Sequence, residues 1–161
     1  MDANAHLLGL GKIVANLQTL EILLRIFLCD ATGQTFTHPK ASDTSLPESY
    51  LTNYDTLGKL IDDYNATLGV SEEMFQVDRR VVSVRDALAH GRLMAAADFF
   101  PLTLYRFAKP ANGAVSLLSS ETLTECWFAS QSALIRSHLK RIVDCSMKRK
   151  YPSIGPAHWP P

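Results

Sequence analysis

From about residue 4 to residue 30, apolar side chains fall at Leu7, Leu10, Ile13, Val14, Leu17, Leu20, Leu24, Phe27 and Leu28. This is the i, i+3, i+4, i+7 rhythm of an amphipathic helix with one face in a core. Whatever else the chain forms has to be built around that helix. Its second half adds Ile22, Leu23 and Ile26, which widens the apolar surface beyond one stripe and predicts a second covering partner. Another chain is one candidate.

The remaining length reads as further helices and one interruption. From Asp30 to about Leu46 small and polar residues dominate, a linking loop that is long for a bundle. A second helix is predicted from near Tyr50 to Thr67, with Leu51, Tyr54, Leu57, Leu60, Ile61 and Tyr64 on one side and Gly69 beyond its end. Ser71 is expected to cap a third, along which Met74, Val77, Val81, Val84 and Leu88 recur at steps of three and four until Gly91. Residues 102–107, a Lys109–Gly113 turn and residues 115–118 then read as strand, turn, strand. Thr122 with Glu125 has the capping-box spacing for a last long helix through Trp127, Leu134, Ile135, Leu139 and Ile142 to about Met147. The predicted class is all-α: a bundle of four to five helices with a small β-hairpin inserted before the last one. Residues 1–150 form the domain and 151–161, with four prolines, an extended or disordered tail.

Composition narrows the function classes. The 161 residues suffice for a core without disulfides or metal, and 47 % hydrophobic with 20 % charged residues is ordinary globular usage. Sixteen basic residues balance sixteen acidic ones, so any anion site must be local rather than a property of the whole surface. Cys29, Cys126 and Cys145 are widely spaced, without a CxxC pair or a histidine at zinc-ligand spacing, and read as reduced core residues. No metal or cofactor is expected. The first segment lacks a basic leader, and Lys12, Asn16, Glu21 and Arg25 interrupt its apolar run, which predicts a cytoplasmic protein without a membrane span. The sequon at Asn65 is then a coincidence.

The stretch SVRDALAHGR, residues 83–92, holds the densest chemistry. At about 100° per residue, Arg79, Ser83, Asp86 and His90 share an arc of about 60° opposite the core stripe. Asp86 and His90 are i, i+4 neighbours, so the carboxylate can orient an imidazole for proton exchange near neutral pH. Arg85 points about 140° away from His90 on a straight helix. Bringing both to one atom requires the last turn to unwind at Gly91, or a two-fold axis that brings an arginine from one subunit to the histidine of another. A helix that simply ends in basic residues, with Gly91 as its cap and Asp86–His90 as a surface pair, accounts for the same letters. His6, His38, His138 and His158 lack partners at metal or triad spacing and read as surface or core histidines. The basic group Arg136, Lys140, Arg141, Lys148, Arg149 and Lys150 reads as a solvated helix end, with an RNA-binding surface as the alternative.

Arg85-Asp86-Ala87-Leu88-Ala89-His90-Gly91 resembles the R-x4-6-H signature of the HEPN superfamily, in which a polar residue follows the arginine. The order of elements around it, over about residues 4–147, is similar as well, ending in a last helix opened by TLTE. The resemblance implies a helical bundle that dimerises so that two motifs meet, and a metal-independent endoribonuclease of toxin or defence type. In that case His90 acts as general acid or base at a ribose 2′-OH, Arg85 holds the phosphate and Asp86 orients the pair. The products are 2′,3′-cyclic phosphates. Arg79, Arg80 and Arg92 are candidate RNA phosphate contacts by position. An antitoxin or a nucleotidyltransferase is the expected kind of partner beside a second copy. The family also implies an alternative, a non-catalytic dimerisation module that binds a nucleotide, RNA or protein.

Overall fold

The computed structural model describes residues 2–34, 40–95 and 100–152. Among the described residues four helices, α1 (Ala3–Ala31), α2 (Leu57–Ala66), α3 (Arg80–His90) and α4 (Glu125–Lys150), are joined by a 3-10 turn (Val70–Phe75) and three strands. These are β1 (Arg92–Met94), β2 (Thr103–Phe107) and β3 (Leu117–Thr122), an antiparallel sheet in the order β1-β2-β3. The fold is therefore helix-rich with a sheet of its own. The hairpin expected before the last helix is present as β2 and β3, and the residues straight after α3 add a third strand to it. The chain divides into two compact units. One takes the residues up to Leu17 with Arg80–Ile135, and the other takes Gln18–Arg79 with the residues from Arg136 onward.

In the second unit, Leu20, Leu24, Phe27 and Leu28 of α1 are buried, as are Leu57, Leu60, Ile61 and Tyr64 of α2 and Ile142 and Cys145 of α4. Phe27 meets Tyr64 edge to face at 4.7 Å. Arg25 is buried within this apolar stripe because its guanidinium is saturated. It bonds Glu21 at 2.9 Å, and the carbonyls of Tyr50 at 2.6 Å and Asp55 at 2.9 Å. That clamp holds residues 50–55 as a loop, so α2 begins at Leu57 rather than near Tyr50, and Tyr54 is wholly exposed. Thr56 caps the helix, accepting from the Lys59 amide at 3.3 Å. The Asn65 side chain exchanges two hydrogen bonds with the Val77 backbone, both 2.9 Å, so the sequon residue is committed to a tertiary contact.

The third helix also begins later than its periodicity predicts. Met74 fits the stripe of Val77, Val81, Val84 and Leu88 by spacing alone. It sits in the 3-10 turn, 68 % exposed, and α3 starts at Arg80. What fastens the 3-10 turn is the basic end of α4, expected to be merely solvated. Arg149 bonds Glu72 and the Thr67 carbonyl, Lys148 reaches the Ser71 carbonyl, and Arg141 the Gln76 carbonyl. Carbonyls left open by a short 3-10 segment are thereby satisfied from a neighbouring helix.

In the first unit, Ile13, Leu17, Val81, Ala87, Leu104, Leu123, Phe128 and Ile135 are buried, whereas Leu7 and Leu8, on the first turns of α1, are 63 % and 59 % exposed. The α4 cap is Thr124, which accepts from the Trp127 amide at 3.1 Å. Thr122, the expected cap, is the last residue of β3. Cys29 and Cys145 are buried thiols, but Cys126 is exposed on the first turn of α4. His6 and His138 are core histidines. His38 and the tail beyond Pro152, including His158, lie outside the described residues. Among the described residues α1 is long and apolar enough to cross a bilayer, with a mean hydropathy of 1.4 over its best window. Within that helix the Arg25 guanidinium is bound by the Glu21 carboxylate and by the Tyr50 and Asp55 carbonyls.

Candidate functional site

The end of α3 is shaped by Gly91. Its φ is not positive, so it is not a left-handed helix cap. What it supplies is space: a Cβ there would lie 2.2 Å from the Ala87 carbonyl oxygen, 2.7 Å from Leu104 Cδ1 and 3.0 Å from the Tyr105 carbonyl oxygen. The Gly91 amide bonds the Ala87 carbonyl at 2.8 Å, which keeps the last turn wound. The chain then passes directly into β1, whose Arg92, Leu93 and Met94 pair with Tyr105, Leu104 and Thr103. The helix end is thus pressed onto the middle strand, and only a residue without a side chain fits between them.

His90, the last residue of α3, is exposed, and its imidazole makes no hydrogen bond among the described residues. Asp86 does not hold it. The Asp86 carboxylate accepts instead from Arg85 Nη1 at 2.9 Å, with the two side chains 38 % and 33 % exposed. Helix neighbours do not face each other, and it is the length of the arginine side chain that lets it turn back. The pair is too open to water to be worth more than about 0.5 kcal/mol. Its effect is geometric, since it fixes where the guanidinium lies beside the helix, while the other N–H groups of Arg85 make no hydrogen bond among the described residues.

The flanking arginines fall into different places. Arg92 follows His90 by two residues, is exposed, and lies over the Phe107 ring at 5.4 Å from its centre. Arg80 opens α3 and so stands about 15 Å along the axis from His90. Arg79 belongs to the second unit, where it pairs with Asp62 beside Gly58. Of the six residues singled out from sequence, Arg85, Asp86, His90 and Arg92 follow one another along the end of α3 and into β1, where only Arg85 and Asp86 are joined by a side-chain contact among the described residues, and the other two lie elsewhere. Tyr105 and Phe107 were legible as strand residues, but only the pairing of Arg92 with Tyr105 gives them a place at this junction. Among the described residues no group of three or more His, Cys, Asp or Glu side chains comes together as a metal site.

The second unit holds a different feature, a groove of about 650 Å³ between the C-terminal halves of α1 and α4. Leu23, Ile26, Phe27, Ile142, Val143 and Met147 line it, with Arg149 over the Phe27 ring at 4.8 Å. This is the widened apolar surface that Leu23 and Ile26 announce in the sequence. Comparison of the chain with known protein families, with curated proteins and with solved structures gives no match.

Proposed function

We propose that the protein is a metal-independent endoribonuclease of the HEPN type, acting as a cytoplasmic homodimer in a toxin or defence setting, with an antitoxin or a nucleotidyltransferase as its further partner. The observation that carries this reading is the arrangement at the end of α3. An exposed imidazole ends the helix, and an arginine on the same last turns is held by Asp86 with donors to spare. In the reaction, His90 takes the proton of a ribose 2′-OH, the 2′-oxygen attacks the adjacent phosphorus, and the bond to the 5′-oxygen breaks. A 2′,3′-cyclic phosphate and a 5′-hydroxyl result, the latter after proton return to the leaving oxygen. Arg85 stabilises the charge that develops on the phosphoryl oxygens. Because Arg85 and His90 leave one helix in different directions, a second copy is the natural source of the complementary group. Exposed Leu7, Leu8 and Val14 on α1 offer apolar surface for such a copy.

The test is incubation of purified protein with RNA in the presence of chelator. Cleavage to cyclic-phosphate ends, lost in His90→Ala and Arg85→Ala, is expected. An inert wild type, or undiminished cleavage by both variants, sinks the proposal.

The second reading is a non-catalytic HEPN-like module that binds a ligand or a protein partner. It is favoured by the apolar groove of the second unit and by the Asp86 carboxylate, which accepts from Arg85 and makes no hydrogen bond to the His90 imidazole among the described residues. A folded protein without nuclease activity, in which His90→Ala lowers the melting temperature, supports it.

A further inference from the structure

One face of the small sheet carries chemistry that a strand exposed only to water does not need. Arg92 is directly opposite Tyr105, so both side chains leave the sheet on the same side, and strand alternation sends Phe107 there too. The Tyr105 and Phe107 rings lie with centres 6.3 Å apart and planes 23° from parallel. Arg92 packs over Phe107, which is 38 % exposed. On β3 the residues opposite Tyr105 and Thr103 are Ser120 and Thr122, both hydroxyl-bearing. The one carboxylate of the three strands, Glu121, is opposite Leu104 on the other face and accepts from Trp127 Nε1 at 2.7 Å. The strip therefore presents two near-parallel aromatic rings, a planar cation and hydroxyls, with Leu117 opposite Phe107 at its end and no carboxylate from the strands to repel an anion.

A ligand that answers all of these at once has a flat π-face and a phosphate beside it. We infer that this strip is a stacking platform for unpaired bases of a single-stranded RNA, in which a base takes the place of the Arg92 guanidinium over Phe107, a second stacks on Tyr105, and the displaced Arg92 holds the phosphate beside them. The inference rests on the ribonuclease reading and narrows its substrate from RNA to unpaired RNA, because a base inside a duplex cannot offer its face to a side chain. Arg92 is two residues from His90, at most about 7 Å between Cα atoms. A nucleotide on the strip thus brings a neighbouring ribose to the end of α3. An apolar protein partner would cover Phe107 equally well, but it would give the exposed guanidinium of Arg92 nothing to bond.

Fluorescence anisotropy of the full chain with a labelled 2′-O-methyl oligouridylate, in chelator and at fixed salt, tests the platform. The probe has no free 2′-OH and cannot be cleaved, so binding is measured apart from chemistry. The single strand is expected to bind more tightly than the same strand annealed to its complement. Phe107→Ala should weaken binding about tenfold, the loss expected when one stacked base goes. Arg92→Lys, which keeps the charge and disturbs the core least, should weaken it several-fold by removing the planar group. No binding by the wild type, equal affinity for the duplex, or unchanged affinity in both variants overturns the inference. Self-association abolished by Phe107→Ala, with RNA affinity untouched, assigns the face to a second copy and overturns it as well. The two proposals fail separately. Cleavage that persists with unchanged KM in both variants removes the platform alone, and tight binding of the probe by a protein that cleaves no RNA removes the nuclease alone.

Discussion

Glu72 receives two donors from Arg149, Nε at 3.0 Å and Nη2 at 2.7 Å, and this pair ties the 3-10 turn to the last turn of α4. The Arg149 hydrogen bonds, helped by the Gly69 amide and opposed by burial, push the Glu72 carboxyl from its ordinary 4.5 down to about 2. A depressed carboxyl stabilises the fold at pH values above its unfolded value, and that contribution is lost as pH falls from about 4.5 towards about 2. Arg149 is one-third exposed, which reduces the contribution to on the order of 2 kcal/mol. Urea unfolding between pH 7 and pH 2.5 should show a wild-type loss over that window which is flattened in Glu72→Gln. Parallel pH profiles for the two proteins would remove the pair from the account of stability.

Gly91→Ala should destabilise the protein by about 1–3 kcal/mol, as overpacking does, although alanine is the better helix former. The added methyl meets the Ala87 and Tyr105 carbonyl oxygens as well as Leu104, and backbone atoms do not rotate away. A lower urea midpoint with an unchanged m value is the expected result. An unchanged midpoint would show that the α3–β2 contact yields without cost.

Asp86→Asn separates position from stability. The ion pair is open to solvent, so its loss should shift the melting temperature by less than about 2 °C. In the nuclease reading the same change frees the Arg85 guanidinium and should lower cleavage about tenfold. A large thermal shift with intact cleavage would make Asp86 a structural residue.

His6 is fully buried between the rings of Phe100, at 5.3 Å, and Phe128, at 5.1 Å, and neither of its nitrogens finds a hydrogen-bond partner among the described residues. Burial pushes its pKa below the ordinary 6.5. The neutral ring is what the fold accommodates, so stability is full above about pH 6.5 and declines as pH falls through and below it, where the unfolded chain takes up a proton more readily. The loss between pH 8 and pH 5 should shrink in His6→Leu, read from urea midpoints at the two pH values. An equal loss in both proteins would place the acid sensitivity elsewhere.

The long helices α1 and α4 were legible because their apolar spacing persists over many turns. The start of α2 was not, because what stops it is Arg25 drawing in the carbonyls of a loop some 25 to 30 residues away. Met74 kept the right spacing and still fell outside α3, since periodicity cannot see a 3-10 turn anchored by Arg149 and Lys148. Strand β1 has three residues, too few for any alternation to declare itself. At the candidate site the order of Arg85, Asp86, His90 and Gly91 was plain. Hidden were the turn of Arg85 back to its neighbour and the arrival of Arg92 beside Phe107, both settled by side-chain reach and strand register. The reading of Gly91 as a routine cap picked the right residue for the wrong reason.

That glycine has a mechanical consequence. Because the helix end is wedged against the carbonyl of Tyr105, His90 is mounted on the sheet as well as on its helix. A strand that shifts must carry the imidazole with it, so anything gripping the sheet also handles the histidine.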